Sequence, residues 1–184
     1  MIVLIIFGIA LVATTLLAIL LLATLLSESV QVWPPPNVEP WQYRIFWTLF
    51  RVMIIGIILF SVLDFNSMLM FQSKWRYFVG IPLALLGFGL ATHISFALGW
   101  KNAHGEQEGL KTDGWYRISR NPVYVVSIIG MAGLGLTVNS GYVYVLLLLW
   151  GLFYLVAPVL EEPWLEEAYG ESYLKYKSQT PRFI

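Results

Sequence analysis

Two short stretches of the chain hold most of the side chains able to do chemistry. One runs from Leu110 to Tyr124 and carries Lys111, Asp113, Tyr116, Arg117, Arg120 and Asn121; the other opens on Glu161-Glu162-Pro163 and continues through Glu166 and Glu167. Glu161 and Glu162 follow an apolar run directly, where a helix C-terminus would present its negative dipole end, so two adjacent carboxylates there call for a cation. Arg117, Arg120 and Lys101 are the basic groups to supply it, unless solvent suffices. Other chemistries are excluded. The chain has no cysteine, so thiol nucleophiles, disulfides and Cys-ligated zinc or iron–sulfur sites are out. Its two histidines are His93, expected as a hydrogen-bonded structural residue, and His104, alone in a polar loop, so no metal site is expected. With 11 basic against 11 acidic residues in 184, there is no positive field to hold a nucleic acid.

The elements that must position these groups are dictated by composition. Hydrophobic residues make up 58% of the chain and charged residues 12%, and mean hydropathy is +0.72, well beyond a soluble domain. Five apolar stretches, at 2–26, 45–63, 77–98, 122–138 and 142–160, lack the alternation of barrel strands and predict membrane-spanning helices. The run at 2–26 has no positive residues before it and no small-residue cleavage site after it, so it reads as a span rather than a leader. Residues 163–178 place Trp164, Leu165, Ala168, Tyr169, Tyr173 and Tyr176 at spacings of three and four, which predicts an amphipathic helix at the interface. The expectation is one all-α integral membrane domain over 1–184, with about five transmembrane helices and that C-terminal interfacial helix.

Spans four and five are joined only by Asn139-Ser140-Gly141 and form a tight hairpin, so the two chemical stretches meet at its open ends. Arg44, Lys101, Lys111, Arg117, Arg120, Lys175, Lys177 and Arg182 share that face, against Lys74 and Arg76 on the other. This bias predicts the N-terminus outside and the C-terminus in the cytoplasm. Arg51 falls within span two, about two turns from its start, positioned to snorkel. Trp33-Pro34-Pro35-Pro36 reads as a stiff polyproline connector, and Trp33, Trp41, Trp47, Trp75, Trp100, Trp115 and Trp164 as an interfacial belt.

The two stretches resemble the isoprenylcysteine carboxyl methyltransferase family and its relatives among membrane phospholipid methyltransferases. Gly114, Tyr116, Arg120, Pro122 and Tyr124 match a G-x-Y-x-x-x-R-H-P-x-Y pattern; Glu161, Glu162, Leu165, Tyr169, Gly170, Tyr173, Tyr176 and Pro181 match E-E-x-x-L followed by F/Y-G-x-x-Y-x-x-Y and a proline. The resemblance covers roughly residues 85–184 and implies transfer of a methyl group from S-adenosyl-L-methionine, entering from the cytoplasm, to a lipophilic or prenylated acceptor entering from the bilayer. It assigns Arg120 and Asn121 to catalysis, and Gly114, Tyr116, Arg120, Pro122, Tyr124, Glu161, Glu162, Tyr173 and Tyr176 to the cofactor. Asn121 stands where the family has histidine and cannot titrate near neutral pH. An acceptor carboxylate needs no base, so carboxyl methylation of an isoprenylcysteine-like compound is favoured over phospholipid N-methylation. A nicotinamide-dependent reductase would need more clustered Arg and Lys than this loop has; a non-catalytic scaffold is the remaining alternative.

Overall fold

The computed structural model describes residues 2–26, 31–34, 41–103 and 108–184. His104, Pro35 and Pro36 lie outside the described residues. The apolar runs form α1 (Ile2–Leu26), α2 (Trp41–Leu63), α3 (Trp75–Leu98), a single turn α4 (Trp100–Ala103), a 3-10 turn (Gly114–Arg117), α5 (Pro122–Val138), α6 (Gly141–Tyr169) and α7 (Glu171–Gln179). Among the described residues there is no strand. By length and apolar character α1, α2, α3 and α6 each suffice to cross a bilayer. At 17 residues α5 is shorter, about 25 Å long, and it lies along α3. The chain is thus an all-α integral membrane protein.

The helices alternate in direction. At one end Phe7, Phe60 and Tyr142 meet with ring centroids 4.5–5.7 Å apart, joining the starts of α1 and α6 to the end of α2. There the hairpin turn is tied to the α2–α3 loop. Asn66 N donates to Val138 O (2.8 Å), Asn139 Nδ2 to Met68 O (3.0 Å) and Met70 O (2.7 Å), and Ser140 Oγ to Asp64 Oδ2 (2.5 Å). Asn139 caps α5 at φ +52°, where its short amide relieves a conformation other side chains resist. Asn139→Ala should therefore cost about 3 kcal/mol, combining lost hydrogen bonds at a fully buried position with the left-handed penalty. Thermal unfolding in detergent checks this, with Asn139→Gly recovering part of the loss.

Antiparallel α3 and α5 approach backbone to backbone. A Cβ on Gly87 would stand 2.3 Å from Gly130 N, and one on Gly133 2.3 Å from Ala84 N. Between apolar helices in lipid there is little hydrophobic drive, so such small-residue contact is what holds a pair together. On the other side of the bundle Leu17, Met53, Phe60, Val143 and Leu146 close a core among α1, α2 and α6.

One expected boundary is wrong. There is no separate helix over 163–178: α6 runs on through Pro158 and Pro163 to Tyr169, and the break comes at Gly170, φ +52°. The reason lies in packing. Pro158 and Glu162 are buried a turn apart on α6, and Leu165 and Tyr169 continue that stripe against buried Ile94, Tyr116, Tyr173 and Tyr176. This outweighs the missing proline N–H, so Glu161 and Glu162 sit inside a helix and not at its C-terminus. The other limits move little: α2 starts at Trp41 rather than Ile45, and α3 at Trp75 rather than Tyr77.

Candidate functional site

The open end of the hairpin is closed by an ion network around one carboxylate. Glu162, 4% exposed, receives Arg120 Nη2 at 2.6 Å on Oε1, Arg182 Nε at 2.8 Å on Oε1 and Nη2 at 2.7 Å on Oε2, with Lys177 Nζ 3.3 Å from Oε2. Arg120 also donates Nη1 to Lys177 O (3.0 Å) and Thr180 O (2.5 Å). The segment after α7 is thereby laid across the start of α5. Arg120 N bonds Pro181 O (2.9 Å), while Ser119 Oγ (3.3 Å) and Asn121 Nδ2 (3.0 Å) both donate to Arg182 O.

Glu161, one residue earlier, points to different company. Trp33 Nε1 donates to its Oε1 at 2.6 Å and the Tyr124 hydroxyl donates to the same oxygen. No cation pairs with Glu161 among the described residues. The Trp33 ring, 8% exposed, stacks on Phe46 at 4.5 Å, and Val32 N is anchored to Thr24 Oγ1 at 3.0 Å. This brings Val32 and Trp33, between α1 and α2, onto the site.

Both glutamates border a cavity of about 560 Å³. Its polar end is lined by Asn102, Lys111, Tyr116, Arg120, Asn121 and Glu161, and it continues between Leu21, Phe50, Phe88, Trp150 and Phe153 toward the apolar middle of the bundle. A pocket that is polar at one end and greasy at the other suits a polar cosubstrate and a lipophilic partner at once, and its volume lies within the usual range for small-molecule sites, about 300–1,000 Å³. Tyr116, Tyr173 and Tyr176 form the wall under α7. Burial, with Glu161 nearby, pushes the Tyr116 phenol up; burial and Glu162 do the same to Tyr173; burial pushes Tyr176 up to about 12 against the opposing pull of Arg120. All three therefore stay protonated at neutral pH, and Tyr176 donates its hydroxyl to Tyr116 O at 2.7 Å. The Arg182 and Lys177 values are raised by their bonds to Glu162 and Glu166 respectively, so both remain cations.

Of the residues singled out in the sequence, Tyr116, Arg120, Asn121, Tyr124, Glu161, Glu162, Tyr173 and Tyr176 all border the cavity. Gly114 and Pro122 do not: Gly114 turns the backbone at φ +58° and Pro122 starts α5. The expected pairing of Arg117 and Lys101 with the glutamates does not form. Arg117 is exposed, and Lys101 lies 4.0 Å from Glu108. Arg182 and Lys177 take their place. Trp33, expected as part of a connector, is a site residue, and its bond to Pro34 is cis. Trp47 and Trp164 also line the cavity, whereas Trp41, Trp75 and Trp115 are exposed as a belt requires. His93 is exposed on α3, and no hydrogen bond holds it among the described residues. Among the described residues no three His, Asp or Glu side chains gather as a metal would need.

No curated protein and no solved structure matches the chain. The family described as phospholipid methyltransferase matches residues 75–172, from the first residue of α3 to the first turn of α7. That span is more than half of the chain and holds Arg120 with Glu162 and Tyr124 with Glu161, so the chain belongs to the phospholipid methyltransferase family of multi-pass membrane methyltransferases.

Proposed function

We propose that the cavity binds S-adenosylmethionine at its polar end and a lipophilic acceptor from the bilayer at its apolar end. The observation that carries this is Glu161. Among the described residues this carboxyl group, bordering an apolar cavity, is served by two neutral donors on a single oxygen and by no cation, so its ionised form lacks a countercharge. A sulfonium or ammonium ligand supplies it. Glu162, by contrast, is saturated by Arg120, Arg182 and Lys177 and acts as a strut. Arg120 is spent on that strut as well, so the cofactor carboxylate is met by Lys111, whose acidic partner Asp113 is 72% exposed.

When bound, S-adenosylmethionine supplies a methyl group bonded to positively charged sulfur. The protein's own work is placement and exclusion of water: Trp33 and Tyr124 hold the Glu161 carboxyl in one orientation, and Phe50, Phe88 and Phe153 keep the acceptor end dry. Reaction of an acceptor carboxylate with the cationic methyl donor cancels opposite charges, which a water-poor pocket favours. Asn121 offers no base for another acceptor, since its amide does not titrate and its Nδ2 is bound to Arg182 O. This supports carboxyl O-methylation of an isoprenylcysteine-like lipid. The family match favours a second reading, an amine lipid, for which Glu161 is the group placed to accept the proton. The excess of Lys and Arg on the site's face supports a cytoplasmic cofactor mouth with the N-terminus outside.

Glu161→Gln tests the cation site. Isothermal titration of the detergent-solubilised protein should show S-adenosylmethionine affinity falling at least tenfold, about 1.4 kcal/mol, with the unfolding temperature preserved. Unchanged affinity would remove Glu161 from the cofactor site.

A further inference from the structure

The remaining conspicuous charges lie on α2. Arg44 and Arg51 are both exposed, although α2 is one of the helices able to span the bilayer. Seven residues apart, they return to nearly the same stripe of the helix. Arg51 lies ten residues past Trp41, about 15 Å along the axis, deep enough that a guanidinium facing lipid needs a partner. Among the described residues neither arginine has an acidic one.

Their surroundings say what the partner is. Trp47, between them in sequence and about 40–60° round the helix, lines the cavity, as does Phe50. Thr92, Ser95 and Phe96 of α3 line the same cavity, and Phe96 is 68% exposed. α2 packs on α1 and α6, and α3 packs on α5, but no extended packing joins α2 to α3 among the described residues. α2 and α3 thus both line the cavity without extended packing on one another, and the two arginines lie beside Trp47 on the exposed side of α2. Helical side chains lean toward the helix N-terminus, so Arg51 reaches back toward Arg44 and the membrane surface on the side of the site.

We infer that the cavity opens to the bilayer between α2 and α3, and that Arg44 and Arg51, beside this mouth, form a binding site for the phosphate of an anionic bilayer phospholipid. Phosphate is the anion the bilayer itself provides at the surface to which Arg51 leans back, and guanidinium is the side chain that grips it with paired hydrogen bonds. The site does not depend on the methyl-transfer reading, because it is read by lipid binding alone.

The test uses the full chain in neutral detergent, with thermal unfolding followed as lipid is added. Phosphatidylglycerol should raise the unfolding temperature by several degrees, diacylglycerol with the same chains should not, and inorganic phosphate at equal concentration should not. Arg44→Gln/Arg51→Gln should lose more than half of the phosphatidylglycerol shift while its lipid-free unfolding temperature stays within a degree or two of the parent. Should the double variant fold poorly, Arg51→Gln alone decides, with native mass spectrometry counting retained phosphatidylglycerol. An undiminished shift in the variants, or an equal shift from diacylglycerol, overturns the site; an equal shift from inorganic phosphate overturns its assignment to lipid.

Discussion

Replacing Glu162 by alanine is expected to destabilise the protein by about 3–5 kcal/mol, the loss typical of removing one partner from a buried ion pair. The figure rests on Arg120. Its side chain is 9% exposed against 5% for Glu162, so the substitution strands a guanidinium that water cannot easily reach. Arg182 and Lys177, at 41% and 36%, return to solvent cheaply and add little. Arg182→Gln should accordingly cost below about 1 kcal/mol. The same substitution of Glu162 frees the segment at 180–182, because the Arg120 bonds to the Lys177 and Thr180 carbonyls depend on the guanidinium staying in place. Limited proteolysis after Glu162→Ala should cut beyond Gln179 where the parent resists. A stability change under about 1 kcal/mol would mean that the network is surface decoration, of the sort whose pairs are worth 0–1 kcal/mol.

The second large effect is steric. Gly87→Ala places a methyl group 2.3 Å from Gly130 N and 2.5 Å from Gly130 Cα, and Gly133→Ala places one 2.3 Å from Ala84 N. These obstacles are backbone atoms, which cannot rotate aside as a flexible side chain can. The helices must separate, with α3 carrying Thr92 and Ser95 away from the cavity. Overpacking usually costs about 1–3 kcal/mol; contact with backbone on both helices puts each variant at or above the upper end. Gly89→Ala is the control, since its Cβ would meet nothing within 4 Å. Denaturation in mixed micelles should rank Gly89→Ala near the parent and the other two far below. Equal stability of all three would contradict the close α3–α5 pairing.

Much of this arrangement is legible in the sequence, for local reasons. Hydropathy alone marks the helices, and the short Asn139-Ser140-Gly141 connection requires the two chemical stretches to meet. What is not legible is long-range choice of partner. Glu162 takes Arg120 from 42 residues away and Arg182 from 20, and Glu161 takes Trp33 from 128. No periodicity encodes such distances. The end of α6 is misread for a related reason. Glu161-Glu162-Pro163 has the local look of a helix terminus, but buried packing of Glu162, Leu165 and Tyr169 carries the helix on to a glycine that takes a positive φ. The basic character of Lys175, Lys177 and Arg182, opposite an acidic pair, was the available signal for the network. Trp33, followed by three prolines, offered none.

The central claim is that Glu161 and the surrounding cavity bring S-adenosylmethionine together with a membrane lipid. Its most direct test incubates purified protein, total membrane lipid and prenylcysteine analogues with methyl-tritiated S-adenosylmethionine, extracts the lipid, and treats it with alkali. The account predicts tritium in the organic phase, released by alkali as volatile methanol from a methyl ester, and none above background with Glu161→Gln. Label that survives alkali would move the acceptor to an amine. No label in lipid from a folded protein, or equal label from the parent and Glu161→Gln, would contradict the account.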